Sequence, residues 1–280
     1  MDLTAVEKLI GDLESRIDRP ARVSPGEPLY VGVDLGTAYI VVVVVDGAGH
    51  PVACALEFAQ VVRDGLVVDY SGASRIVERL VRRIEGQLGR TLDRAAIAVP
   101  PGTGVRDSAT HRHVVEACGL EVTSILDEPT AANAVLGVEN GAIVDIGGGT
   151  TGLSILRDGK VVYVADEPTG GTHVSLVLAG AWGVSFDVAE AAKKDSARHK
   201  EIFPVVRPVL EKMATIIANH IRGRDVDVVY LVGGTCCLTG METVIERITG
   251  TTVRKPSNPF LVTPLGIALN CARDGRGDEE

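Results

Sequence analysis

Aromatic side chains are scarce in this sequence, at 4% of residues, and long hydrophobic runs are missing. The core must therefore be built mainly from Val, Ile, Leu and Ala, within an apolar share of 45%. The longest apolar run, Ile40 to Val45, is far shorter than the ~20 residues of a transmembrane helix. The first residues do not resemble a signal peptide. We therefore expect a cytoplasmic protein of about two domains that does not enter a membrane.

Extended basic runs are also missing, because none is longer than a pair and the net charge is −9. This balance argues against nucleic acid and anionic membrane surfaces as partners. Cysteines are few, at positions 54, 118, 236, 237 and 271, and they lack paired metal-ligand spacing. The adjacent Cys236 and Cys237 could form a redox pair, but buried, reduced thiols are more common in a cytosolic protein.

The stretch from Ala142 to Gly152 is the most informative part of the chain. An apolar run leads into Asp145 and then into three glycines, Gly147 to Gly149, before Thr150 and a second apolar run. This pattern predicts a hairpin of two buried strands. Glycines in such a turn leave the backbone N–H groups free to cradle phosphate, and a carboxylate beside them suits a divalent cation. The stretch alone could equally be an ordinary tight hairpin.

A second copy of this pattern occurs upstream, in Tyr30 to Tyr39 followed by the run Ile40 to Val45. Asp34 occupies the place of Asp145, and Gly36 and Thr37 occupy the place of the glycine turn. Two copies of one strand–turn–strand pattern predict two similar halves that close on a single nucleotide.

Each half is predicted to contain three strands followed by alternating helices and strands, which gives an α/β fold with mixed sheets. We expect domains at 30–141 and 142–271 and a disordered tail at 272–280. Two more glycine turns, Gly170–Thr172 and Gly233–Thr235, follow in the second half, and Thr172 is predicted to cap a helix. The last helix is predicted over 263–271.

Residues 1–18 carry apolar side chains at helical spacing, and the segment 19–28 contains three prolines. Together, residues 1–28 predict an amphipathic helix and an extended linker. The helix either folds back on its own domain or docks, as a tether, in a groove of a partner.

Four motifs occur in the order in which the actin-like ATPase superfamily carries them. Val33–Thr37, Asp127–Ala132, Val144–Thr150 and Leu231–Thr235 resemble its phosphate-1, connecting, phosphate-2 and adenosine motifs. The DnaK-type chaperones are the nearest large family over residues 30–271. As a whole, the chain resembles the chaperone-like proteins of bacterial ethanolamine-utilisation operons. This resemblance implies two ribonuclease H-like domains, each with a mixed sheet flanked by helices, and a nucleotide cleft between them.

The resemblance also implies a role for each motif residue, with ATP and Mg²⁺ as cofactors. Asp34 and Asp145 would hold Mg²⁺ through water, and Glu128 would position the attacking water. For Glu128, an acid favoured by the dipole of a helix N-terminus is the alternative. The remaining residues would contact the phosphates, ribose and adenine: Gly36, Thr37, Gly147, Gly148, Gly149, Thr150, Gly170, Gly171, Thr172, Gly233, Gly234 and Thr235.

The chain departs from the chaperones in three ways. No lysine occurs between Lys8 and Lys160, so the chaperone's γ-phosphate lysine is missing, and Arg63 or Arg106 are the candidates to replace it. The segment between Thr172 and Val226 is too short for the extra lobe that clamps adenine, so the small lobes should be reduced. We also expect no peptide-binding domain after residue 272.

These features suggest an ATP-binding, weakly ATP-hydrolysing, chaperone-like accessory protein of bacterial ethanolamine utilisation. Its expected partner is ethanolamine ammonia-lyase or a shell or cargo protein of a microcompartment, with which it would associate in the cytoplasm. Three alternatives stay open: a nucleotide-dependent scaffold or actin-like filament, a small-molecule kinase, and a nucleotide binder without significant hydrolysis.

Overall fold

A computed structural model describes residues 3–277 of the protein, and side chains as far as residue 273. The helix α1 (Thr4–Glu14) precedes the first sheet. The elements of the first half are β1 (Leu29–Leu35), β2 (Tyr39–Asp46), β3 (Pro51–Phe58), β4 (Val62–Arg63), β5 (Leu66–Val67), α2 (Tyr70–Leu88), β6 (Arg94–Val99), α3 (Val105–Glu116), β7 (Glu121–Asp127) and α4 (Glu128–Leu136).

The second half repeats this order of three strands followed by helices and further strands. Its elements are β8 (Gly141–Ile146), β9 (Thr151–Arg157), β10 (Lys160–Glu167), α5 (Gly171–Trp182), α6 (Phe186–Lys194), α7 (His199–Ile221), β11 (Val228–Val232), α8 (Met241–Thr249), β12 (Thr252–Arg254) and α9 (Val262–Gly277). The short strand β12 was not predicted from the sequence.

The two main sheets have the same topology. Their strand orders are β3-β2-β1-β6-β7 and β10-β9-β8-β11-β12. In each sheet the first three strands of the half are antiparallel, and the other two join in parallel. Asp34 and Asp145 are each the penultimate residue of the first strand of their half. The predicted α/β fold of two related halves with mixed sheets is confirmed.

The valine-rich strand β2 shows why the core needs few aromatic residues. Side chains of Ile40 to Val45 are all fully buried. Val41, Val43 and Val45 enter one apolar cluster, whereas Ile40, Val42 and Val44 enter another on the opposite face. A strand covered on both faces reads as a continuous apolar run, and β-branched side chains fill such a pleated surface well.

Two helices, α4 and α9, cross between the two sheets. The helix α9 belongs to the second half in sequence but packs on β1, β2 and β6 of the first sheet, whereas α4 packs on β8 and β9. A Cβ at Gly266 would lie 1.8 Å from the carbonyl oxygen of Ala131, and one at Gly32 would lie 2.4 Å from the Ala268 nitrogen. Glycine is therefore required at both contacts.

The N-terminal helix folds back on its own chain, which decides between the two alternatives left by the sequence. Val6, Ile10 and Leu13 of α1 are buried against the first sheet. Beyond α1, which ends at Glu14 rather than at residue 18, the chain borders β3: the Asp18 amide donates to the Cys54 carbonyl at 3.0 Å, and the Ala21 amide of the predicted linker donates to the Val52 carbonyl at 2.7 Å. The apolar stripe is thus not free to dock on a partner.

At the other end of the chain, α9 begins one residue before the predicted helix and continues to Gly277. The disordered tail was predicted from residue 272, so most of that segment is helical instead. Residues 278–280 lie outside the described part of the chain.

A test for membrane spans finds no single helix in residues 3–277 with sufficient length and hydropathy. The helices α5 and α6 pass it as a pair, by length and composition only, and their axes are bent by 115°.

Candidate functional site

The two glycine turns face each other across the cleft between the sheets. A Cβ on Gly148 would lie 3.1 Å from the Ala38 Cβ, and one on Gly149 would lie 2.8 Å from the Thr37 hydroxyl oxygen. The turns touch because these positions have no side chains. They border a cavity of about 380 Å³, whose wall includes the predicted residues Asp34, Gly36, Thr37, Glu128, Asp145, Gly147, Gly148, Gly149, Thr150, Gly233, Gly234 and Thr235.

Three of the carboxylates on the wall of this cavity, those of Asp34, Asp145 and Glu128, have raised pKa values. Burial, followed by the charge of Asp145, raises the pKa of Asp34 to about 7. Burial raises the pKa of Asp145 to about 6. Burial and the charges of Asp145 and Asp34 raise the pKa of Glu128 well above its usual range. A divalent cation placed between these acids would stabilise their ionised forms, because its positive charge opposes the effects of burial and of mutual repulsion.

Sequence reasoning missed two groups that act on Asp145, the acid of the second turn, one by a hydrogen bond and one by its charge. The Thr263 hydroxyl at the start of α9 donates to Asp145 Oδ2 at 2.5 Å, which opposes the rise in the pKa of Asp145. Asp166, near the end of β10, raises the pKa of Asp145 through its charge, and burial raises its own pKa although Thr150 hydrogen-bonds to it. Both residues are distant from the motifs in sequence, so only the fold reveals them.

The third glycine turn, Gly170–Thr172, is hydrogen-bonded to the backbone of the second turn, Gly147–Gly149. The Gly171 and Thr172 amides donate to the Gly147 and Gly148 carbonyls at 2.9 and 2.8 Å. Gly170 and Gly171 are buried and, like Thr172, do not line the cavity, so their contact with ribose stays a prediction. The helix α5 is capped by Gly170. The predicted cap at Thr172 is therefore wrong, because this residue already lies in the first turn.

The fourth glycine turn lies against both Asp145 and the second turn. The Thr235 hydroxyl donates to the Gly147 carbonyl at 2.7 Å. Gly233 has φ of 90°, and a Cβ there would lie 2.3 Å from Asp145 Oδ1. Glycine is needed at this position both for its backbone conformation and for the room that the carboxylate occupies.

Two lysines of α6 reach the cavity, and the sequence analysis had not placed them there. Lys193 Nζ lies 2.7 Å from Glu190 Oε2 and donates to the Gly171 carbonyl at 3.1 Å. Burial opposes the ionisation of Glu190, but the Lys193 charge and hydrogen bonds from Lys193 and Ser175 hold its pKa below the usual range. The spacing of Glu190 and Lys193 on a predicted helix was a usable signal, but nothing in the sequence placed that helix at the cleft.

Lys194 links the two halves at the mouth of the cavity. Its Nζ lies 4.5 Å from the ring centre of Tyr39 and 3.9 Å from that of Phe58, both in the first sheet. Phe260 stacks edge-on against Tyr39 with ring centres 5.4 Å apart. Three of the few aromatic residues in the chain therefore meet at one place, where they form an apolar wall beside the fourth glycine turn.

Comparison with known proteins gives the family of this chain. EutJ, an ethanolamine utilization protein of Salmonella typhimurium, is 48% identical over 242 residues, which cover 86% of this chain and 85% of that protein. The crystal structure of EutJ from Carboxydothermus hydrogenoformans matches with a TM-score of 0.89 and 51% identity, over 94% of this chain and 97% of that one. The chain belongs to the EutJ family.

More distant relatives place EutJ among the actin-like ATPases. The family model of the type IV pilus assembly protein PilM matches residues 110–266. A PilM–PilN type IV pilus biogenesis complex has the same fold, with a TM-score of 0.71 at 15% identity, over 90% of this chain and 99% of that one. DnaK of Akkermansia muciniphila is 25% identical over 257 residues, which cover 70% of this chain and 40% of that chaperone. The resemblance predicted from the four motifs is confirmed.

The EutJ fold also places the two arginines that were candidates for the missing lysine. Arg63 lies at the tip of the β4–β5 hairpin and, with Thr37 and Gly148, borders a second cavity of about 560 Å³. The neighbouring Asp64 amide would lie 3.1 Å from a Cβ on Gly149. Arg106 is exposed on α3 and borders neither cavity. Of the two, only Arg63 is near the glycine turns.

The site of this EutJ homologue suits a cation that is held mostly by water and ligand oxygens. Within residues 3–277, no group of three or more His, Cys, Asp or Glu side chains has the arrangement of a metal cage. Mg²⁺ commonly takes only one or two carboxylates and retains several waters beside a phosphate. Asp34 and Asp145, beside two glycine-containing turns, fit that mode of binding.

Proposed function

We propose that this protein binds ATP with Mg²⁺ between its two halves and acts as a nucleotide-dependent accessory protein of ethanolamine utilisation. The proposal rests on one observation: each half supplies a glycine turn and an aspartate, and the two turns meet beside Asp34 and Asp145. Membership of the EutJ family supports the pathway, and the actin-like relatives support nucleotide binding in general.

In this proposal, Thr37, Thr150 and the amides of both turns bind the phosphates, while Asp34 and Asp145 hold Mg²⁺ through water. The cation would neutralise charge on the phosphates and carboxylates. Glu128 would accept a proton from, or orient, the attacking water, because it begins α4 at the cavity wall. In-line phosphoryl transfer depends mainly on such positioning and charge neutralisation. Gly233–Thr235, with Gly170–Thr172 behind the second turn, would border the ribose and adenine.

The proposed partner is ethanolamine ammonia-lyase or a microcompartment shell or cargo protein, on which closure of the cleft would act. The buried α1 excludes the tethered helix as the recruiting element. We therefore expect deletion of residues 2–20 to impair folding rather than recruitment alone.

Titration calorimetry with Mg-ATP on the wild type and Asp145→Asn, followed by phosphate release from the same samples, tests the proposal. We expect binding by the wild type and at least tenfold weaker binding by the variant, because the neutral side chain no longer holds the cation. Exposed Asp12→Asn is the matched control. Wild-type binding without phosphate release would favour the scaffold that does not hydrolyse ATP. Absence of wild-type binding would refute the proposed function.

A further inference from the structure

The two sheets differ at their equivalent outer edges, because another segment of the chain pairs with the edge strand of the first sheet but not with that of the second. The edge of the first sheet, β3, is covered by the segment after α1: the Cys54 amide donates to Arg16 at 3.1 Å, and the Ala21 amide donates to Val52 at 2.7 Å. The corresponding strand of the second sheet, β10, has β9 on one side only. Within residues 3–277, no segment covers its other side.

The open edge carries apolar side chains. Val161, Val162 and Val164 are 40%, 58% and 44% exposed. Val161 lies opposite Leu156 and Val164 opposite Ser154, two residues apart on β9, so a bulge at Val162 brings both valines to one face. Bulges often twist an edge strand away from possible partners, whereas the bulge at Val162 places Val161 and Val164 on the same face of the strand. Apolar edge strands that lack such protection are templates for pairing with another chain.

The charges at the two ends of β10 indicate which kind of chain would pair with this edge. Lys160 begins the strand, and Glu167, whose side chain pairs with His220 at 2.9 Å and is still 38% exposed, ends it. The preceding Asp166 hydrogen-bonds with Thr150 beside the candidate site and does not contribute to this edge. When two copies of β10 pair antiparallel, the basic end of each strand lies beside the acidic end of the other. Two-fold symmetry makes these two contacts equivalent. Parallel pairing of two copies would instead bring like charges together. The strand is therefore complementary to itself in one direction.

We propose that β10 is a homodimer interface, at which two copies pair antiparallel and join their second sheets into one sheet of ten strands. The valines of the two copies then cover one another, and the free backbone groups of the edge are hydrogen-bonded. One short strand pair is a small interface, so we expect weak, concentration-dependent association. This proposal is independent of nucleotide binding.

Sedimentation velocity of the full chain, over a concentration series reaching about 100 µM, tests the proposal. We expect the wild type to become dimeric and Val162→Lys to weaken association at least tenfold. The matched control is Val105→Lys, at an 89% exposed position on α3 of the first half, which should associate like the wild type. Circular dichroism establishes that each variant is folded.

Lys160→Glu is a second variant that keeps the test valid if Val162→Lys does not fold. It places two acidic ends together in the dimer and should weaken association, most clearly at low salt. A wild type that stays monomeric throughout the series would overturn the proposal. Dimerisation unaffected by the folded edge variants would also overturn it, because the interface would then lie elsewhere.

Discussion

Two aspartates at equivalent places in the repeat dominate the electrostatics of the cleft. Asp34 and Asp145 are the penultimate residues of the first strands of their halves. The charge of Asp145 raises the pKa of Asp34, and both charges raise the pKa of Glu128. Their places follow from the repeated strand–turn–strand pattern. Their raised pKa values follow from burial, and from the charge of Asp145 on Asp34 and of Asp166 on Asp145, which the sequence does not show.

The stability of the ligand-free protein should depend on pH through Asp34. Its folded-state pKa of about 7 lies above the ordinary 3.8, so the folded state retains a proton that the unfolded state releases between these values. Stability therefore falls as pH rises through this range. We expect Asp34→Asn to be more stable than the wild type by at least about 1 kcal/mol at pH 8, with a clearly smaller advantage at pH 5 that is lost only below the unfolded-state pKa.

Urea denaturation at both pH values, without nucleotide or divalent cation, measures this difference. Asp12→Asn, on the exposed side of α1, is the control and should show little change at either pH. An equal difference between Asp34→Asn and the wild type at pH 5 and pH 8 would contradict the assignment, because it would reflect packing and not charge.

The Thr263 hydroxyl bond to Asp145 gives a second residue-scale prediction. Thr263→Val keeps the shape but removes the donor, and we expect a loss of about 1–3 kcal/mol because a buried charged acceptor is left unpaired. Thr263→Ser restores the hydroxyl and should recover most of the loss. Urea denaturation at pH 8 compares the variants, and equal losses for Val and Ser would exclude a role for the hydrogen bond.

At the scale of elements, α1 is a structural part of the first half. Its apolar stripe covers the sheet, and its acidic residues reach a loop of the second half: Glu14 accepts a hydrogen bond from Asn258 at 2.5 Å, and Glu7 accepts the Ser257 amide at 3.0 Å. Asn258 also borders the cavity. The helix therefore connects the N-terminus to the wall of the candidate site.

Truncating the centre of this stripe should destabilise the protein strongly. Ile10 is fully buried, so we expect Ile10→Ala to cost about 2–5 kcal/mol, from lost burial and the resulting cavity. Exposed Lys8→Ala, on the same helix, should change the free energy of unfolding by less than about 0.5 kcal/mol. Thermal or urea unfolding compares them. Similar small effects for both would mean that α1 does not stabilise the fold in solution.

At the scale of the whole molecule, the crossing of α4 and α9 joins the halves. The contact at Gly266 and Ala131 is so close that a methyl group has no room, and the obstacle is backbone, which cannot rotate away. The two helices therefore cannot be moved apart at this point without losing the contact that joins the halves.

We expect Gly266→Ala to destabilise the protein by about 1–3 kcal/mol or more, because α9 must shift away from α4. Gly86→Ala is the matched control, since it lies within α2, where a Cβ meets no atom within 4 Å. Alanine is the better helix former, so this control should be neutral or stabilising by up to about 1 kcal/mol. Denaturation midpoints compare the pair, and a neutral Gly266→Ala would show that the helices are further apart in solution.

The sequence by itself determined the repeat, the order of strands and helices, and the residues of the turns. These depend on local rules: apolar periodicity, and glycine where side chains are forbidden. The Asp69 cap at the start of α2 was not predicted. The domain limits at 30–141 and 142–271 stay a prediction.

Only the tertiary structure decided which distant residues share the cleft. Lys193 and Lys194 supply positive charge there, Thr263 holds Asp145, and α9 crosses from the second half to the first sheet. It also decided that α1 is buried and that the edge of β10 is open. Local patterns are set by near neighbours along the chain, whereas these contacts join residues far apart in sequence, so they depend on how whole elements pack.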